Sequence, residues 1–376
     1  MPKIRVLVVD DAVVVRQLIT KILSQDSDLE VVGVAANGRI ALAKIPQVNP
    51  DLVILDIEMP EMDGLETLKA IRKTYPVLPV IMFSAVTERG AAATLDALAL
   101  GAMDYVTKPA HTSREAAVQY IQEQLPPKIK ALCPNRVDQS MPSVKPLTTQ
   151  TSPPLKRSIG DSLTAADRAM DRQTRDRNRI DIIAIGVSTG GPNALTHLLS
   201  AFPADLPVPI VIAQHMPPLF TQRLAERLAS QCQIPVREGV TGDILKPGQA
   251  WLAPGNFHMG VERHHTLVQI RTHQAPPENS CRPAVDVLFR SAAKLYGPGV
   301  LGIVLTGMGQ DGLHGCQCIH EAGGQILVQD EATSVVWGMP GIVANAGLAD
   351  RVMPLNELAG EVIQRLQVNR PWRETP

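Results

Sequence analysis

The sequence predicts an α/β protein of two doubly wound parallel-sheet domains joined by a long linker. Three observations carry this. Short apolar runs alternate with helical periodicities, the pattern of strands buried on both faces. The alternation occurs twice, in residues 1–125 and 180–370, and is interrupted at 126–179. In both halves the polar residues that end the apolar runs stand at strand-to-helix junctions, where open parallel sheets bind ligands.

The whole chain bounds the function. Its 376 residues suit two domains, each able to bury its own core. A net charge of -1 gives no basic excess for nucleic acid, and 3% aromatic residues leave no stacking platform for single strands. The five cysteines are scattered and odd in number, which suits a reducing compartment. No apolar run is long enough for membrane insertion, and the N-terminus enters a strand almost at once. A soluble, cytoplasmic protein is expected.

In residues 1–125, strands are predicted at Ile4–Val9, Val31–Ala35, Leu52–Ile57, Val80–Phe83 and Met103–Val106. Val14, Leu18 and Ile22 share one face of the intervening helix. Asp10 and Asp11 end the first strand, Asp56 the third, Ser84 the fourth and Lys108 the fifth. Three converging carboxylates repel one another unless a cation sits among them, and hard oxygen ligands suit Mg²⁺. Lys108 and the Ser84 hydroxyl are then placed to hold phosphoryl oxygens.

The segments VVDD, LDIEMPEMDG, the strand-end serine and TKP resemble the receiver domain of bacterial two-component response regulators, a flavodoxin-like fold. The resemblance implies that a histidine kinase phosphorylates Asp56. It implies that Asp10, Asp11 and Asp56 place Mg²⁺ with the Glu58 carbonyl, and that Ser84 and Lys108 sense the phosphoryl group. Tyr105 matches the aromatic switch position of receivers.

Residues 126–179 are rich in Pro, Ser, Thr and Gln and end in the charged run DRAMDRQTRDRNR. They lack the apolar residues for a core and read as a flexible linker, with a transient helix over Asp161–Arg179.

The second alternation opens with Ile180–Asn193, IDIIAIGVSTGGPN. A buried strand stops at Ser188-Thr189-Gly190-Gly191, and Pro192 opens a helix. Gly186 to Gly190 fits the G-x-S-x-G nucleophile pattern. Strands at Val208–Ala213, Gln249–Leu252, Thr266–Ile270, Val300–Leu305 and Gln325–Val328 follow, with helices at Leu219–Ser230 and Val285–Tyr296. Ser188, His215 and Asp311 all stand at strand ends. They are a nucleophile, a base able to take its proton near neutral pH, and a carboxylate to orient the base. The chain order Ser-His-Asp differs from the Ser-Asp-His order of α/β-hydrolases, which argues against that fold but not against a triad.

GVSTGGP, IAQHMP, LTGMGQDG and VQDEATSVVWGMP together resemble the catalytic domain of chemotaxis protein-glutamate methylesterases of the CheB type, a Rossmann-like domain. The resemblance implies that Ser188 attacks γ-methyl esters of glutamate on methyl-accepting chemoreceptors, releasing methanol, and that receptor glutamines are deamidated by the same chemistry. His215 would be base and acid, and Asp311 its orienter. Met308 would offer an oxyanion N–H, Thr189 would line the site, and Arg282 would contact substrate. No cofactor is expected in the esterase site. The linker is longer than the resemblance requires.

Two rival readings fare worse. A DNA-binding output needs a helix-turn-helix and a basic face, and neither is visible. A dinucleotide loop needs an acid ending the second strand, where Gln214-His215 stand instead. Cys316-Gln317-Cys318-Ile319-His320 lacks zinc spacing and reads as structural, and His264, His265 and His273 read as surface.

Overall fold

The computed structural model describes residues 3–109, 113–134 and 179–368. The first sheet comprises β1 (Ile4–Val9), β2 (Leu29–Ala35), β3 (Leu52–Asp56), β4 (Val80–Ser84) and β5 (Asp104–Thr107), all parallel, in the order β2-β1-β3-β4-β5. Helices α1 (Val13–Leu23), α2 (Gly38–Val48), α3 (Gly64–Thr74), α4 (Glu88–Ala99) and α5 (Arg114–Leu132) follow the strands in turn. β3 and β4 are buried at every residue, as unbroken apolar runs require. Strand order reverses between β1 and β3, so the acids ending those two strands face one crevice.

One boundary moves. Residues 126–132, expected in the linker, continue α5 through Pro126 and Pro127. Ile121, Leu125, Ile129 and Leu132 recur at helical spacing and are all buried in one apolar cluster with the first sheet. That unbroken stripe outweighs two prolines that each remove a backbone donor. The transient helix expected over Asp161–Arg179 lies outside the described residues, apart from Arg179, which pairs with Asp181 at 2.8 Å.

The second sheet has seven parallel strands: β6 (Ile182–Val187), β7 (Ile210–Gln214), β8 (Val236–Glu238), β9 (Ala250–Leu252), β12 (Val300–Val304), β13 (Gln325–Gln329) and β14 (Arg351–Met353). Their order is β14-β13-β12-β6-β7-β9-β8. The expected strand at 266–270 is not among them. It belongs to β11 (Leu267–His273), which pairs antiparallel with β10 (His258–His264) as a separate hairpin. Only Ile270 of β11 is buried, and a strand so exposed does not sit inside a parallel sheet.

Helices α6 (Gly191–Ser200), α7 (Phe220–Gln231), α8 (Val285–Tyr296), α9 (Leu313–Glu321), α10 (Met339–Asn345) and α11 (Leu355–Val368) complete the second domain among the described residues. β6 lies between β7 and β12, which brings the three strand ends bearing Ser188, His215 and the Thr306–Asp311 turn side by side. No helix of the described residues is long and apolar enough to cross a membrane.

Candidate active site

Ser188 follows β6 directly. Its N–H donates to the Thr306 carbonyl at 3.0 Å, and its own carbonyl accepts from Gly191 N at 2.8 Å and Gln214 Nε2 at 3.0 Å. Gly190 adopts φ +78°, the left-handed conformation that lets the chain turn here into α6. Gly307 approaches so closely that a Cβ there would lie 2.8 Å from Ser188 Cβ. The serine therefore sits between a helix N-terminus and the backbone of the 306–309 turn.

Asp311 is 2% exposed and surrounded by donors. Its Oδ2 accepts from Val285 N at 2.6 Å, and its Oδ1 accepts from Asp286 N, Gly312 N and Asn279 Nδ2 at 3.0, 3.0 and 2.9 Å. The first turn of α8 thus aims its free N–H groups at a carboxylate from another loop, where the helix dipole favours negative charge. Burial opposes ionisation, but His215 and these N–H groups outweigh it, and the carboxyl pKa is lowered. Asp286, buried beside it and bonded to Asn279, Gly312 and Gly315, has its pKa raised by burial and then by the Asp311 charge.

His215 Nε2 lies 2.8 Å from Asp311 Oδ2, so the two side chains expected to act as base and orienter are in contact. The other ring nitrogen, Nδ1, lies 3.5 Å from Cys281 Sγ. Burial disfavours the imidazolium, but the Cys281 charge and the bonds to Asp311 and Cys281 push the His215 pKa up to about 10. No hydrogen bond joins Ser188 Oγ to His215 among the described residues. Both residues line one cavity of about 480 Å³, with Thr189, Gln214, Cys281 and Arg282.

Sequence reasoning passed over three residues here. Cys281, Asn279 and Asp286 flank or belong to the segment singled out for Arg282, but nothing in their spacing links Cys281 to His215, 66 positions away, or Asn279 and Asp286 to Asp311, 32 and 25 positions away. Arg282 lines the cavity, yet its guanidinium is held by Asn256 Oδ1 at 2.6 Å and by the carbonyls of Gln274 and Ala275. Met308 is not among the residues lining the cavity; it packs against the apolar cluster of the first domain, which also takes in Val336. Cys316 is buried in α9 and His320 is exposed, and these residues form no metal-type group among the described residues.

In the first domain, Asp11, Asp56, Glu58, Ser84 and Lys108 line a second cavity of about 210 Å³. Lys108 Nζ lies 2.8 Å from Asp56 and 2.9 Å from Asp10. Carboxylate oxygens of Asp10, Asp11 and Asp56 lie within 4.8 Å of one another, and Asp56 Oδ2 is buried without a hydrogen-bond partner. Burial pushes the Asp56 pKa up to about 6, against the pull of Lys108. One lysine for three carboxylates, with a buried oxygen left bare, fits a site for a hard cation. Ser84 Oγ donates to the Gly90 carbonyl at 3.2 Å.

Tyr105 is not at this cavity. It stacks on Phe220 of α7, with ring centroids 5.0 Å apart and planes 5° apart. It belongs to a contact in which the first domain covers the second. Thr189 Oγ1 donates to Asp104 Oδ2 at 2.8 Å, and Lys128 Nζ holds the same carboxylate oxygen at 2.5 Å. Asn193 Nδ2 donates to the Leu98 carbonyl at 2.7 Å, and Arg223 and Arg227 of α7 pair with Glu88 and Asp96 of α4 at 2.9 and 2.6 Å. Asp104, Tyr105, Thr107, Tyr120 and Lys128 form one wall of the cavity that holds Ser188.

A phosphoryl-type crevice on a parallel sheet, docked against a second sheet with serine, histidine and aspartate at its strand ends, defines a response regulator with a hydrolase as its output. Comparison with known proteins agrees. Residues 6–119 match the response regulator receiver domain and residues 183–362 the CheB methylesterase. A protein-glutamate methylesterase/protein-glutamine glutaminase of Trichodesmium erythraeum is 61% identical over 97% of this chain and 100% of its own. That of a Nocardioides species is 51% identical over 99% of this chain and 98% of its own. The crystal structure of the Thermotoga maritima CheB methylesterase catalytic domain is 39% identical, covering 49% of this chain and 98% of that one, with a TM-score of 0.49. The chain belongs to the protein-glutamate methylesterase/protein-glutamine glutaminase family.

Proposed function

We propose that Ser188, His215 and Asp311 act as a catalytic triad that hydrolyses glutamate γ-methyl esters on chemoreceptors and deamidates receptor glutamines, in the cytoplasm, under control of a histidine kinase. The observation that carries this reading is that His215, bonded to a buried Asp311 caged by donors, lines one cavity with Ser188.

The reaction follows from those positions. Once its ring has lost the proton that Cys281 and Asp311 favour, His215 takes the Ser188 proton as Oγ adds to the ester carbonyl. The oxyanion would be held by backbone N–H groups beside Ser188, by the resemblance including that of Met308; the Gly307 N–H is already given to the Val336 carbonyl. The tetrahedral species collapses, methanol leaves with the proton from His215, and water then releases glutamate by the same steps in reverse roles. Ammonia replaces methanol as leaving group when the substrate is glutamine. Asp311 keeps the ring oriented and balances its positive charge.

In the receiver, Asp10, Asp11 and Asp56 would hold Mg²⁺, which offsets charge on the incoming phosphoryl group during transfer to Asp56. Lys108 and Ser84 border the same cavity and would hold phosphoryl oxygens. Tyr105 would report on that event from the docking face, by its stacking on Phe220.

The docked receiver walls the cavity, and His215 is drawn toward Asp311 and Cys281 rather than Ser188. This supports an inhibited resting form, released when phosphorylated Asp56 favours a receiver state that docks less well. The test is methanol release from membranes bearing methylated receptors, with acetyl phosphate and Mg²⁺ as phosphodonor. A coupling of about 1–3 kcal/mol gives roughly 5- to 150-fold activation. Tyr105→Ala, which removes the stack on Phe220, is expected to raise the unphosphorylated rate part of that way, and Asp56→Asn is expected to stay slow with phosphodonor. Phosphodonor activation of Asp56→Asn equal to that of the parent protein would refute the phosphosite. A Tyr105→Ala protein no faster than its parent would argue that the docked face does not restrain the enzyme.

A further inference from the structure

The cleft contains a second chemistry that hydrolysis does not use. Cys281 Sγ and His215 Nδ1 are 3.5 Å apart. Tetrahedral Zn²⁺ takes thiolate at about 2.3 Å and imidazole at about 2.0–2.1 Å, which sets the two ligand atoms about 3.5 Å apart. The opposite ring nitrogen, Nε2, is bonded to Asp311 Oδ2 at 2.8 Å. A metal-bound histidine is typically held in this way, its second nitrogen donating to a carboxylate that fixes ring and tautomer. Asp311 is itself held by Val285, Asp286, Gly312 and Asn279, so the ring is braced before any ion arrives. His215, Cys281 and Asp311 thus form a mixed sulfur, nitrogen and oxygen group with ligand atoms within 4.8 Å of one another.

We propose that Cys281 and His215 form an inhibitory binding site for Zn²⁺, with Asp311 as the carboxylate behind the histidine. The one proton that Cys281 Sγ and His215 Nδ1 share leaves to solvent as the ion binds, so the metal takes a lone pair from each. His215 is then unable to accept a proton from Ser188, and esterase activity stops. Two protein ligands leave the remaining positions to water or to groups in the cavity, so the ion is exchangeable rather than structural. A thiolate–imidazole pair selects borderline and soft ions over Mg²⁺. The Asp10, Asp11 and Asp56 group, all oxygen, has the reverse preference, so one chain carries a hard site in the receiver and a soft one in the esterase.

The inhibitory effect rests on His215 being the catalytic base; the binding site does not. Co²⁺ is the probe for binding, because cobalt bound to thiolate gives a near-ultraviolet charge-transfer band. Full-length protein titrated with Co²⁺ is expected to develop that band, Cys281→Ser and Cys281→Ala to lack it, and Cys318→Ser to keep it. In the methanol assay, with excess Mg²⁺ and phosphodonor, each protein is compared with its own rate in a zinc-selective chelator. Zn²⁺ is expected to inhibit the parent reversibly, and Cys281→Ser to need about tenfold more Zn²⁺ or higher for half-inhibition, since disturbing even the outer shell of such sites costs about 10–100-fold in affinity. A cobalt band unchanged in Cys281→Ser, or Zn²⁺ inhibition unchanged in that variant, overturns the proposal. Failure of the esterase reading is visible separately, as absence of methanol release by the parent protein in chelator.

Discussion

Ser188→Ala is expected to lower methanol release from methylated receptors by about 10³-fold or more, leaving only binding and oxyanion effects. The fold should tolerate the change. Among the described residues, every hydrogen bond that holds Ser188 in place is made by its backbone: N–H to Thr306, carbonyl to Gly191 and Gln214. Loss of Oγ therefore removes the nucleophile without releasing the turn. A serine-directed fluorophosphonate should label the parent protein at Ser188 and fail on the variant, while the two melt at similar temperatures. Turnover near the parent rate in Ser188→Ala would remove the nucleophile assignment, and with it the acyl-enzyme route.

The second large effect is expected from Asp311→Asn, a loss of about 10⁴-fold in kcat by the triad precedent, in which the wrong histidine tautomer is favoured. Here the cage adds a structural penalty. With the amide oxygen facing His215 and Val285, the amide nitrogen meets the N–H groups of Asp286, Gly312 and Asn279. Turned the other way, it meets Val285 N and the ring nitrogen of His215. Either orientation leaves buried donors unpaired, at about 1–3 kcal/mol. A lowered melting temperature is therefore expected together with the lost activity. Assays well below the melt separate the two effects. A folded Asp311→Asn protein that keeps its rate would show that another group orients His215.

The receiver crevice was legible because its chemistry is local to strand ends. Parallel strands are buried on both faces and so appear as apolar runs, and the residue that ends a run sits at the ligand-binding edge whatever the packing elsewhere. Asp10, Asp56, Ser84 and Lys108 are found there for that reason. The same logic puts Ser188, His215 and Asp311 at strand ends of one sheet; that these strands are neighbours is seen only in the strand order. What failed was local reading of a non-local effect. Pro126 and Pro127 look like helix breakers, but Ile121, Leu125, Ile129 and Leu132 bury a stripe that carries α5 through them. Tyr105 sits at a receiver switch position in the sequence, but its ring faces Phe220, more than a hundred residues away.

The sequence by itself determined the class of each domain, the order of its strands' chemical ends and the residue types available for each reaction, because periodicity and strand-end polarity are properties of short segments. Only the tertiary structure decided which side chains meet. It put Cys281 rather than Ser188 against His215 Nδ1, gathered four N–H donors on Asp311, and set Asp104 of the receiver on Thr189 beside the nucleophile. Those contacts join segments separated by 25 to 85 positions, apart from the adjacent Gly312. Their geometry is fixed by how sheets and helices pack, and no short pattern in the chain encodes it.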